Sequence, residues 1–437
     1  MGKATGFMDY DRQDKMAEDP KERIKHFKEF HTPLSKEEQE LQGARCMACG
    51  VPFCQSGQML MGMASGCPLH NLVPEWNDLI YNGNWKEAYL RLKKTNNFPE
   101  FTSRVCPALC ENACTCGLNQ EAVASKSNEY AIIENAYEMG YAKANPPKVR
   151  TGKKVAVIGS GPSGLTCAGD LAKLGYDVTI FEALHQAGGV LVYGIPEFRL
   201  PKQKVVAKEI AKVKELGVHF ETNVVIGKST TIDMLIEDEG FEAVFIGSGA
   251  GLPKFMGIPG ENANGVFSAN EYLTRSNLMK AFDDSYDTPI AAGKKVAVVG
   301  GGNVAMDAAR TALRLGAEVH IVYRRSEEEL PARVEEVHHA KEEGVQFDLL
   351  TNPVEVLEED GWVKGIKCVR MELGEPDASG RRRPVPVEGS EFVIDVDTVI
   401  MSLGTSPNPL ISSTTEGLEV NKWKCIVADE EHGKTSK

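Results

Sequence analysis

A cysteine-rich stretch with helical patterning, followed by two copies of a glycine-rich strand–helix–strand pattern, predicts an α/β protein. We expect a helical N-terminal domain and then two Rossmann-like domains, in which helices cover a parallel sheet. The predicted boundaries are 1–148 for the helical domain, 149–290 with 397–437 for the first Rossmann-like domain, and 291–396 for the second. A chain of 437 residues has the length for more than one domain.

Composition excludes several classes of partner. The formal net charge of −13 disfavours nucleic acid and anionic membranes, because both repel an acidic surface. No apolar stretch approaches the length of a membrane span, and Met1–Pro20 lacks the apolar core of a secretory signal. We therefore expect a cytoplasmic protein with no membrane or nucleic-acid partner. The basic run Arg381–Arg383 lies between Gly and Pro and is interpreted as solvated.

The predicted helical domain has three parts. Residues 1–30 are charged and weakly patterned, and predict an exposed arm that packs on something else. Residues 74–101 carry apolar side chains at helical spacing. These apolar residues are Trp76, Leu79, Ile80, Trp85, Tyr89 and Leu92. Pro146 and Pro147 then indicate a linker, because proline lacks a backbone donor and disfavours continued helix.

The clearest internal signal is a repeat after this linker. Lys153–Glu182 reads KKVAVIGSGPSGLTCAGDLAKLGYDVTIFE, and Lys294–Tyr323 reads KKVAVVGGGNVAMDAARTALRLGAEVHIVY. The two align without a gap, and each reads as a buried strand, a glycine-rich turn, a helix and a second strand. Two such units predict two dinucleotide sites.

The first unit carries the glycine fingerprint at Gly159, Gly161 and Gly164. The first glycine permits a tight turn, the second lets a pyrophosphate approach the backbone, and the third lets the helix pack on the strand. Glu182 ends the second strand, where a carboxylate accepts hydrogen bonds from ribose hydroxyls. The site therefore suits the adenosine half of FAD.

The second unit differs at the same positions. Its fingerprint residues are Gly300, Gly302, Asn303 and Ala305. The place of the acidic residue is taken by Tyr323, followed by Arg324 and Arg325. Guanidinium groups pair with a 2′-phosphate that a carboxylate would repel, so we predict NADP(H) rather than NAD(H) at this site. The competing interpretation is that both arginines are solvated.

Shorter apolar runs that lead into glycine complete the predicted sheets. Glu242–Ala250 and Asp397–Thr405 are of this kind, and we place the return of the chain to the first Rossmann-like domain near Asp397. Residues 345–396 alternate apolar and polar side chains, which predicts antiparallel strands inserted in the second domain.

Eight of the eleven cysteines lie between Cys46 and Cys116, a clustering that disulfides do not explain in a reducing compartment. We interpret Cys167, Cys368 and Cys425 as ordinary thiols. The clustered cysteines form an early group and a late group, namely Cys46, Cys49, Cys54 and Cys67, then Cys106, Cys110, Cys114 and Cys116.

Metal binding is the favoured interpretation of these cysteines. Structural zinc sites usually have two Cys-x-x-Cys motifs or added histidines, and this chain has only one such motif, at Cys46 and Cys49. The late group steps in fours, which would place its thiols along one helix face, and prolines follow Cys67 and Cys106 as they often do beside iron–sulfur ligands. The spacing favours iron–sulfur clusters over zinc or structural thiols. A flavin can accept two electrons from a hydride donor and pass them one at a time to iron–sulfur clusters. A flavin site in the same chain therefore supports this interpretation.

Three sequence blocks carry a family resemblance: RCMACGVPFC, the stretch NLVPEWNDLIYNGNWKEAYLRLKKTNNFPEFTSRVCPALCENAC, and the paired loops GSGPSG and GGGNVAMD. They resemble the small (beta) subunit family of bacterial NADPH-dependent glutamate synthase. The resemblance spans Phe7 to about Glu431. The chain is also similar to modules of dihydropyrimidine dehydrogenase and of a ferredoxin:NADP oxidoreductase, and these two families stay open as alternatives.

The resemblance implies FAD in the first unit, NADPH in the second and two 4Fe-4S clusters. It also implies a large (alpha) partner subunit in a heterodimer, which carries FMN and makes glutamate from glutamine and 2-oxoglutarate. One cluster would use Cys46, Cys49, Cys54 and Cys114. The other would use Cys67, Cys106 and Cys110 with Glu129 as a fourth ligand. Cys116 competes for that last position, and Glu129 is alternatively a helix-start carboxylate.

The chain departs from the family pattern in two places. Twelve residues, QSGQMLMGMASG, separate Cys54 from Cys67, and we expect a surface loop there. The family's C-terminal strand, Gly-Asp pair and helix, which contact the flavin, have no counterpart before Lys437.

Two other functions compete with electron transfer. A nucleotide-binding protein without turnover would not need the cysteines, and a thiol–disulfide reductase would need a Cys-x-x-Cys within a Rossmann domain. No acid/base or nucleophilic constellation stands out, so no catalytic residue is assigned.

Overall fold

The computed structural model describes residues 3–60, 63–377, 380 and 382–437. The helices are α1 Gly6–Asp9, α2 Pro20–Arg23, α3 Lys36–Ala44, α4 Val73–Tyr81, α5 Trp85–Leu92, α6 Pro99–Val105, α7 Leu109–Asn112, α8 Ser125–Glu138, α9 Pro162–Lys173, α10 Val190–Tyr193, α11 Ala207–Glu215, α12 Ile232–Glu237, α13 Ala269–Asn277, α14 Asn303–Arg314, α15 Val334–Glu342 and α16 Leu410–Ser413. The strands are β1 Met16–Ala17, β2 His31–Thr32, β3 Gln58–Leu60, β4 Met63–Ser65, β5 Lys154–Ile158, β6 Asp177–Glu182, β7 His219–Thr222, β8 Ala243–Ile246, β9 Leu252–Pro253, β10 Val266–Ser268, β11 Lys295–Val299, β12 Glu318–Tyr323, β13 Gln346–Leu349, β14 Thr351–Glu359, β15 Trp362–Pro376, β16 Arg382–Pro386, β17 Phe392–Ile394, β18 Thr398–Met401 and β19 Thr405–Ser406.

The chain forms two compact units. Unit 1 comprises Met1–Asp19, Glu29–Lys148 and Arg199–Gly217, and unit 2 comprises Pro20–Lys28, Val149–Phe198 and Val218–Lys437. Among the residues described, no helix is long and apolar enough to cross a bilayer.

Unit 1 is mainly helical, as predicted. The apolar pattern of residues 74–101 forms α4, α5 and the start of α6 instead of one helix, because Gly83 turns with φ +71° and Pro99 opens α6. Trp76, Ile80 and Leu92 are nearly inaccessible and pack with α8. A core of this kind is the main source of stability for short helices, which are marginal alone.

Residues 199–217 pack with unit 1 instead of the predicted first Rossmann-like domain. The hydroxyl of Tyr137 in α8 donates to Glu209 in α11, and Lys208 lies over the Tyr137 ring at 3.2 Å. Contacts between segments distant in sequence leave no local pattern. The predicted continuous domain 149–290 therefore wrongly included residues 199–217.

Unit 2 contains two parallel sheets built on the sequence repeat. The first has the order β7-β6-β5-β8, and the second β10-β18-β11-β12-β13. Strands β14, β15, β16 and β17 form an antiparallel insertion, which confirms the prediction for residues 351–394. The start of the predicted range differs, because β13 pairs in parallel with β12 in the second sheet.

The sequence predicts that strand β18 begins the return of the chain to the first Rossmann-like domain, but it lies in the second sheet. Val399 and Ile400 of β18 pair in parallel with β11 at the centre of the second sheet. The predicted boundary at Asp397 is therefore too early, and Ile411 and Leu418 beyond it pack on the first sheet. A short apolar run fits any buried parallel strand, so only the register decides which sheet receives it.

A buried group of charges ties α14 and α15 to the segment Pro20–Lys28 within unit 2. Glu343 accepts hydrogen bonds from Arg23, Arg310 and Arg314 at 2.7 to 3.1 Å. Glu336 accepts from Arg310 at 2.8 Å. Glu342 also pairs with Arg23 at 2.9 Å, so three carboxylates compensate three guanidinium groups, which is the condition for burying them without a large penalty. The predicted N-terminal arm is thus partly an internal element of unit 2.

Candidate nucleotide and iron–sulfur sites

The turn after β5 is shaped by glycine. Gly159 has φ +95°, and a Cβ there would lie 2.6 Å from the carbonyl oxygen of Gly247. A Cβ on Gly164 would lie 1.9 Å from the carbonyl oxygen of Gly159. Gly161 is the N-cap of α9 and has no atom within 4 Å of its Cβ position. Open backbone at a helix N-terminus is what a pyrophosphate group needs.

Glu182 lies at the end of β6 and lines a cavity of about 580 Å³. Its Oε2 accepts hydrogen bonds from the Ser160 amide at 3.0 Å and from the Ser160 hydroxyl, and its Oε1 accepts from the amide of Leu184 at 2.9 Å. The carboxylate is therefore held beside the glycine turn. The sequence showed no sign of Ser160 as its anchor.

The turn after β11 repeats this geometry. A Cβ on Gly300, which has φ +139°, would lie 2.3 Å from the carbonyl oxygen of Ser402. Gly302 is the N-cap of α14, with open space at its Cβ position, and Ala305 is fully buried at the third fingerprint position. A second cavity, of about 630 Å³, opens beside this turn.

Tyr323, Arg324 and Arg325 all line that second cavity. Arg324 is exposed, and Arg325 is half-buried, with its Nε donating to the carbonyl oxygen of Arg382 at 3.2 Å. The hydroxyl of Tyr323 donates to the carbonyl oxygen of Glu329 at 2.8 Å. The structure thus places both arginines in the lining of the cavity beside the second glycine turn, and their binding role stays a prediction.

Residues 328–333 (EELPAR) pack against the second glycine turn. The amide of Ala332 donates to the carbonyl oxygen of Gly301 at 3.1 Å, and that of Arg333 donates to Asn303 Oδ1 at 2.9 Å. Asn303, predicted to contact the nucleotide, therefore also anchors this segment.

The interpretation of Arg381–Arg383 as solvated is wrong for Arg382. Arg382 begins β16, and its guanidinium pairs with Glu329 at 2.7 Å and Glu328 at 3.1 Å. Arg383 is exposed, as predicted, and Arg381 lies outside the described residues. An arginine run in a loop gives no sign of the distant carboxylates that it meets.

The four cysteines of the first predicted ligand set lie together in unit 1. Burial, together with the charges of Cys46, Cys114 and Cys49, raises the pKa of Cys54 to about 12. Burial also raises the pKa of Cys46, to which Cys114 and Cys49 contribute. Mutual influence of this kind requires that the thiols lie close together. Cys46 is buried and the other three thiols are partly buried. Neighbouring thiols from separate loops suit a metal cluster better than isolated structural positions would.

The second predicted set is brought together in the same way. Burial raises the pKa of Cys110 well above its usual value, and Glu129, Cys106 and Cys67 raise it further. Burial raises the pKa of Cys106 too, with contributions from Glu129 and Cys67. The three cysteines and the carboxylate therefore form one group.

Glu129 is buried within α8. Burial raises its pKa to about 7, against the effect of a hydrogen bond from Thr102. Its Oε1 accepts from Asn96 at 2.9 Å and from the Thr102 hydroxyl. These partners hold the carboxylate beside Cys106 and Cys110, a position that fits a cluster ligand.

Cys116 lies with the first group instead of the second. A hydrogen bond from Cys116 lowers the pKa of Cys114 to about 6. Cys116 Sγ also lies 3.8 Å from the carbonyl oxygen of Arg45. Its neighbours include Cys46 and Cys49, which favours Glu129 over Cys116 as the fourth ligand of the second set.

The single helix face expected for the late cysteines is not formed. Cys106 is extended, with φ −62° and ψ 139°, Ala108 is left-handed with φ 58°, and α7 has only four residues around Cys110. Cys114 is again extended, with φ −71° and ψ 123°. With the backbone broken, Cys106 and Cys110 lie in one group and Cys114 in the other, without the helix face that the spacing suggested.

The insertion between Cys54 and Cys67 forms a hairpin of β3 and β4. Gln58–Leu60 is exposed, in agreement with the expected surface loop. The amide of Cys67 donates to the carbonyl oxygen of Cys54 at 2.7 Å, which closes the hairpin at its base. The longer spacing therefore keeps the two cysteines adjacent.

Comparisons with known proteins agree with both parts of the chain. Residues 153–437 and 126–239 match the pyridine nucleotide-disulphide oxidoreductase family, and residues 23–141 match dihydropyrimidine dehydrogenase domain II, 4Fe-4S cluster. The small chain of glutamate synthase [NADPH] from Halomonas elongata is 39% identical, over 97% of this chain and 88% of that one.

The chain belongs to the glutamate synthase small-chain family.

Its relative from Bacillus subtilis is 48% identical over 317 residues, which are 72% of this chain and 64% of the relative's length. FprA from Mycobacterium tuberculosis in complex with NADPH has the same fold, with a TM-score of 0.51 and 21% identity over 62% of this chain and 73% of that one. These matches confirm the predicted family, the predicted fold class and a pyridine-nucleotide-dependent oxidoreductase. They also support FAD or NAD(P) binding in the second part and a 4Fe-4S cluster in the first.

Proposed function

We propose that this chain is the electron-input subunit of glutamate synthase. It oxidises NADPH via FAD and passes electrons through two 4Fe-4S clusters to a large subunit. That partner carries FMN and makes glutamate from glutamine and 2-oxoglutarate. The observation that carries the proposal is the presence, in one chain of this family, of two glycine-turn cavities and two groups of metal-type ligands.

The charges that line the two cavities support FAD at the first and NADPH at the second. Glu182 offers a fixed carboxylate to the ribose of FAD at the first turn. Arg324 and Arg325 offer guanidinium groups to the 2′-phosphate of NADPH at the second. The open space beside Gly161 and Gly302, at the N-termini of α9 and α14, would let the backbone bind the pyrophosphate groups and orient the two nucleotides.

The groups in unit 1 have the residue types that iron–sulfur clusters require. Thiolates of Cys46, Cys49, Cys54 and Cys114 would hold one cluster, and those of Cys67, Cys106 and Cys110 with the Glu129 carboxylate would hold the other. Flavin converts a two-electron donation into single-electron steps. All eleven cysteines are free, in keeping with a cytoplasmic, reducing compartment.

The match of residues 23–141 to a dihydropyrimidine dehydrogenase domain favours a second candidate. In that case the same module would feed a dihydropyrimidine dehydrogenase or ferredoxin:NADP oxidoreductase system, with the chemistry of this chain unchanged and only its electron acceptor different.

The test is anaerobic purification of the full chain, followed by its visible spectrum, iron content and stepwise reduction with NADPH or NADH. We expect bound flavin, iron–sulfur absorbance and reduction at lower concentrations of NADPH. A chain that holds neither flavin nor iron would overturn the electron-transfer function. Copurification with a large amidotransferase subunit, and glutamate formation by the pair, separates glutamate synthase from the second candidate.

A further inference from the structure

Three consecutive carboxylates follow the arginines of the second cavity. Glu327, Glu328 and Glu329 form a short 3-10 turn directly after Ser326. Because like charges repel, such a run beside a 2′-phosphate would weaken binding unless the carboxylates were neutralised. The turn is anchored near the cavity, since the carbonyl oxygen of Glu329 accepts from the hydroxyl of Tyr323.

Each of the three carboxylates has a basic partner from elsewhere in unit 2. Glu327 pairs with Lys341 of α15 at 2.6 Å. Glu328 and Glu329 both pair with Arg382, at 3.1 and 2.5 Å. Among the residues that the structure describes, no carboxylate pairs with Arg324 or Arg325. The arginines that line the cavity are thus kept from the acidic run that follows them.

Arg382 also orients one of these arginines. Its carbonyl oxygen accepts from Arg325 Nε at 3.2 Å, and the Arg325 carbonyl oxygen accepts from the amide of Leu350 at 3.0 Å. Held by Nε, a guanidinium can still present its two terminal nitrogens to a phosphate. Arg382 is itself positioned by the insertion, where it pairs with Pro376 across β15 and β16.

We propose that Arg382 is a positioning residue that determines preference for a 2′-phosphorylated nucleotide. It acts without touching the phosphate, because it neutralises Glu328 and Glu329 and orients Arg325. This inference rests on the proposed NADPH site. It gives the antiparallel insertion, which carries β16, a role in selecting the nucleotide.

The test measures binding of two adenosine probes to the full chain by titration calorimetry at fixed ionic strength. Adenosine 2′,5′-bisphosphate represents the NADPH end and 5′-AMP the NADH end, so neither flavin nor clusters need take part. We expect R382Q to weaken bisphosphate binding about fivefold, the scale of one exposed ion pair, and to leave AMP binding unchanged. R382K should stay within about twofold of the unaltered chain, since it retains the charge.

R383Q is the matched control, because it removes the same charge from the adjacent, exposed position. Adding E329Q to R382Q should restore most of the lost affinity, since Glu329 is the less exposed of the two carboxylates that R382Q leaves unneutralised. A glutamine still serves in the cap with Ser326. Unfolding temperatures of all variants should match.

Several results would overturn the proposal. R382Q without effect, or R383Q with an equal effect, would show that Arg382 has no specific role. Failure of E329Q to restore binding would make Arg382 a direct phosphate ligand instead of a positioning residue. If the unaltered chain itself does not prefer the bisphosphate, the proposed NADPH site fails, which is a distinguishable outcome.

Discussion

Single buried residues carry much of the chemistry expected of this chain. Glu129 is 7% exposed, accepts hydrogen bonds from Asn96 and Thr102, and lies with three cysteines. A buried carboxylate of this kind is costly unless it is paired or binds a metal. Its position therefore favours a ligand role over that of a helix-start carboxylate.

Replacement of Glu129 by alanine should remove the second cluster alone. We expect the iron content of anaerobically purified E129A to fall by about half, because the Cys46 group keeps its ligands. The matched control is C116S, which should keep its iron because Cys116 belongs to neither predicted ligand set, although it lies beside the first. Full iron content in E129A, or a loss in C116S, would contradict the assignment.

His320 makes stability depend on pH at the edge of the second sheet. A hydrogen bond to Asp348 at 2.8 Å raises its pKa above the ordinary 6.5, and Glu318 contributes. Since the folded pKa is raised, the stabilisation is full below about pH 6.5 and is lost as pH rises through the folded value. The effect should be below about 1 kcal/mol, because the pair is partly exposed.

Urea unfolding at several pH values checks this prediction. The free energy of unfolding of the unaltered chain should fall over the window above pH 6.5 more steeply than that of H320Q. Identical pH profiles for the two proteins would show that the pair adds nothing.

At the scale of elements, the hairpin β3–β4 depends on its glycine base. Gly66 has φ +77°, and a Cβ there would lie 2.2 Å from the carbonyl oxygen of Phe53. We expect G66A to lower the free energy of unfolding by about 1–3 kcal/mol and to lower the iron content. The strain would fall on the backbone hydrogen bond from the Cys67 amide to the Cys54 carbonyl oxygen. Gly50, in the same region, has open space at its Cβ position, so G50A should leave iron content and stability unchanged. Equal behaviour of the two variants would contradict this account.

The buried charges on α14 and α15 should dominate the stability of unit 2. Arg310 is fully buried and pairs with Glu336 and Glu343, so R310A leaves carboxylates short of partners and should cost about 3 kcal/mol in urea unfolding. The control R275A breaks an exposed pair with Glu271 and should cost below about 0.5 kcal/mol. Similar costs for both would show that burial does not set the energy here.

Elements were predictable where their pattern was periodic and local. The apolar spacing from Trp76 to Leu92 predicted helices that the structure contains, but Gly83 and Pro99 divided them. The spacing of Cys106, Cys110 and Cys114 suggested one helix face and was misleading, because a left-handed Ala108 breaks the backbone. A repeat of four is necessary for such a face but does not ensure it.

At the scale of the whole molecule, a substitution in one unit should block one electron-transfer step and leave the other intact. Flavin reduction by NADPH and electron transfer to the large subunit can then be measured separately. Cys54 lies in unit 1, while both glycine turns lie in unit 2. We expect C54S to keep reduction of its flavin by NADPH but to lose glutamate formation with the large subunit, because a cluster ligand is missing. C425S, at an exposed cysteine in unit 2, should retain both activities. Glutamate formation by C54S would remove the first cluster from the proposed route.

The parts of this protein that depend on local chemistry can be predicted from the amino-acid sequence alone. The repeated glycine turns, the contrast between Glu182 and Tyr323-Arg324-Arg325, and the density of cysteines are all legible in the chain, because turn geometry and ligand type are properties of the residues themselves. Tertiary structure decided what depends on partners distant in sequence. Strand β18 pairs within the second sheet, residues 199–217 pack with unit 1, and Arg382 pairs with Glu329. Strand register and charge pairing across long separations are settled only by packing, and no single segment encodes them.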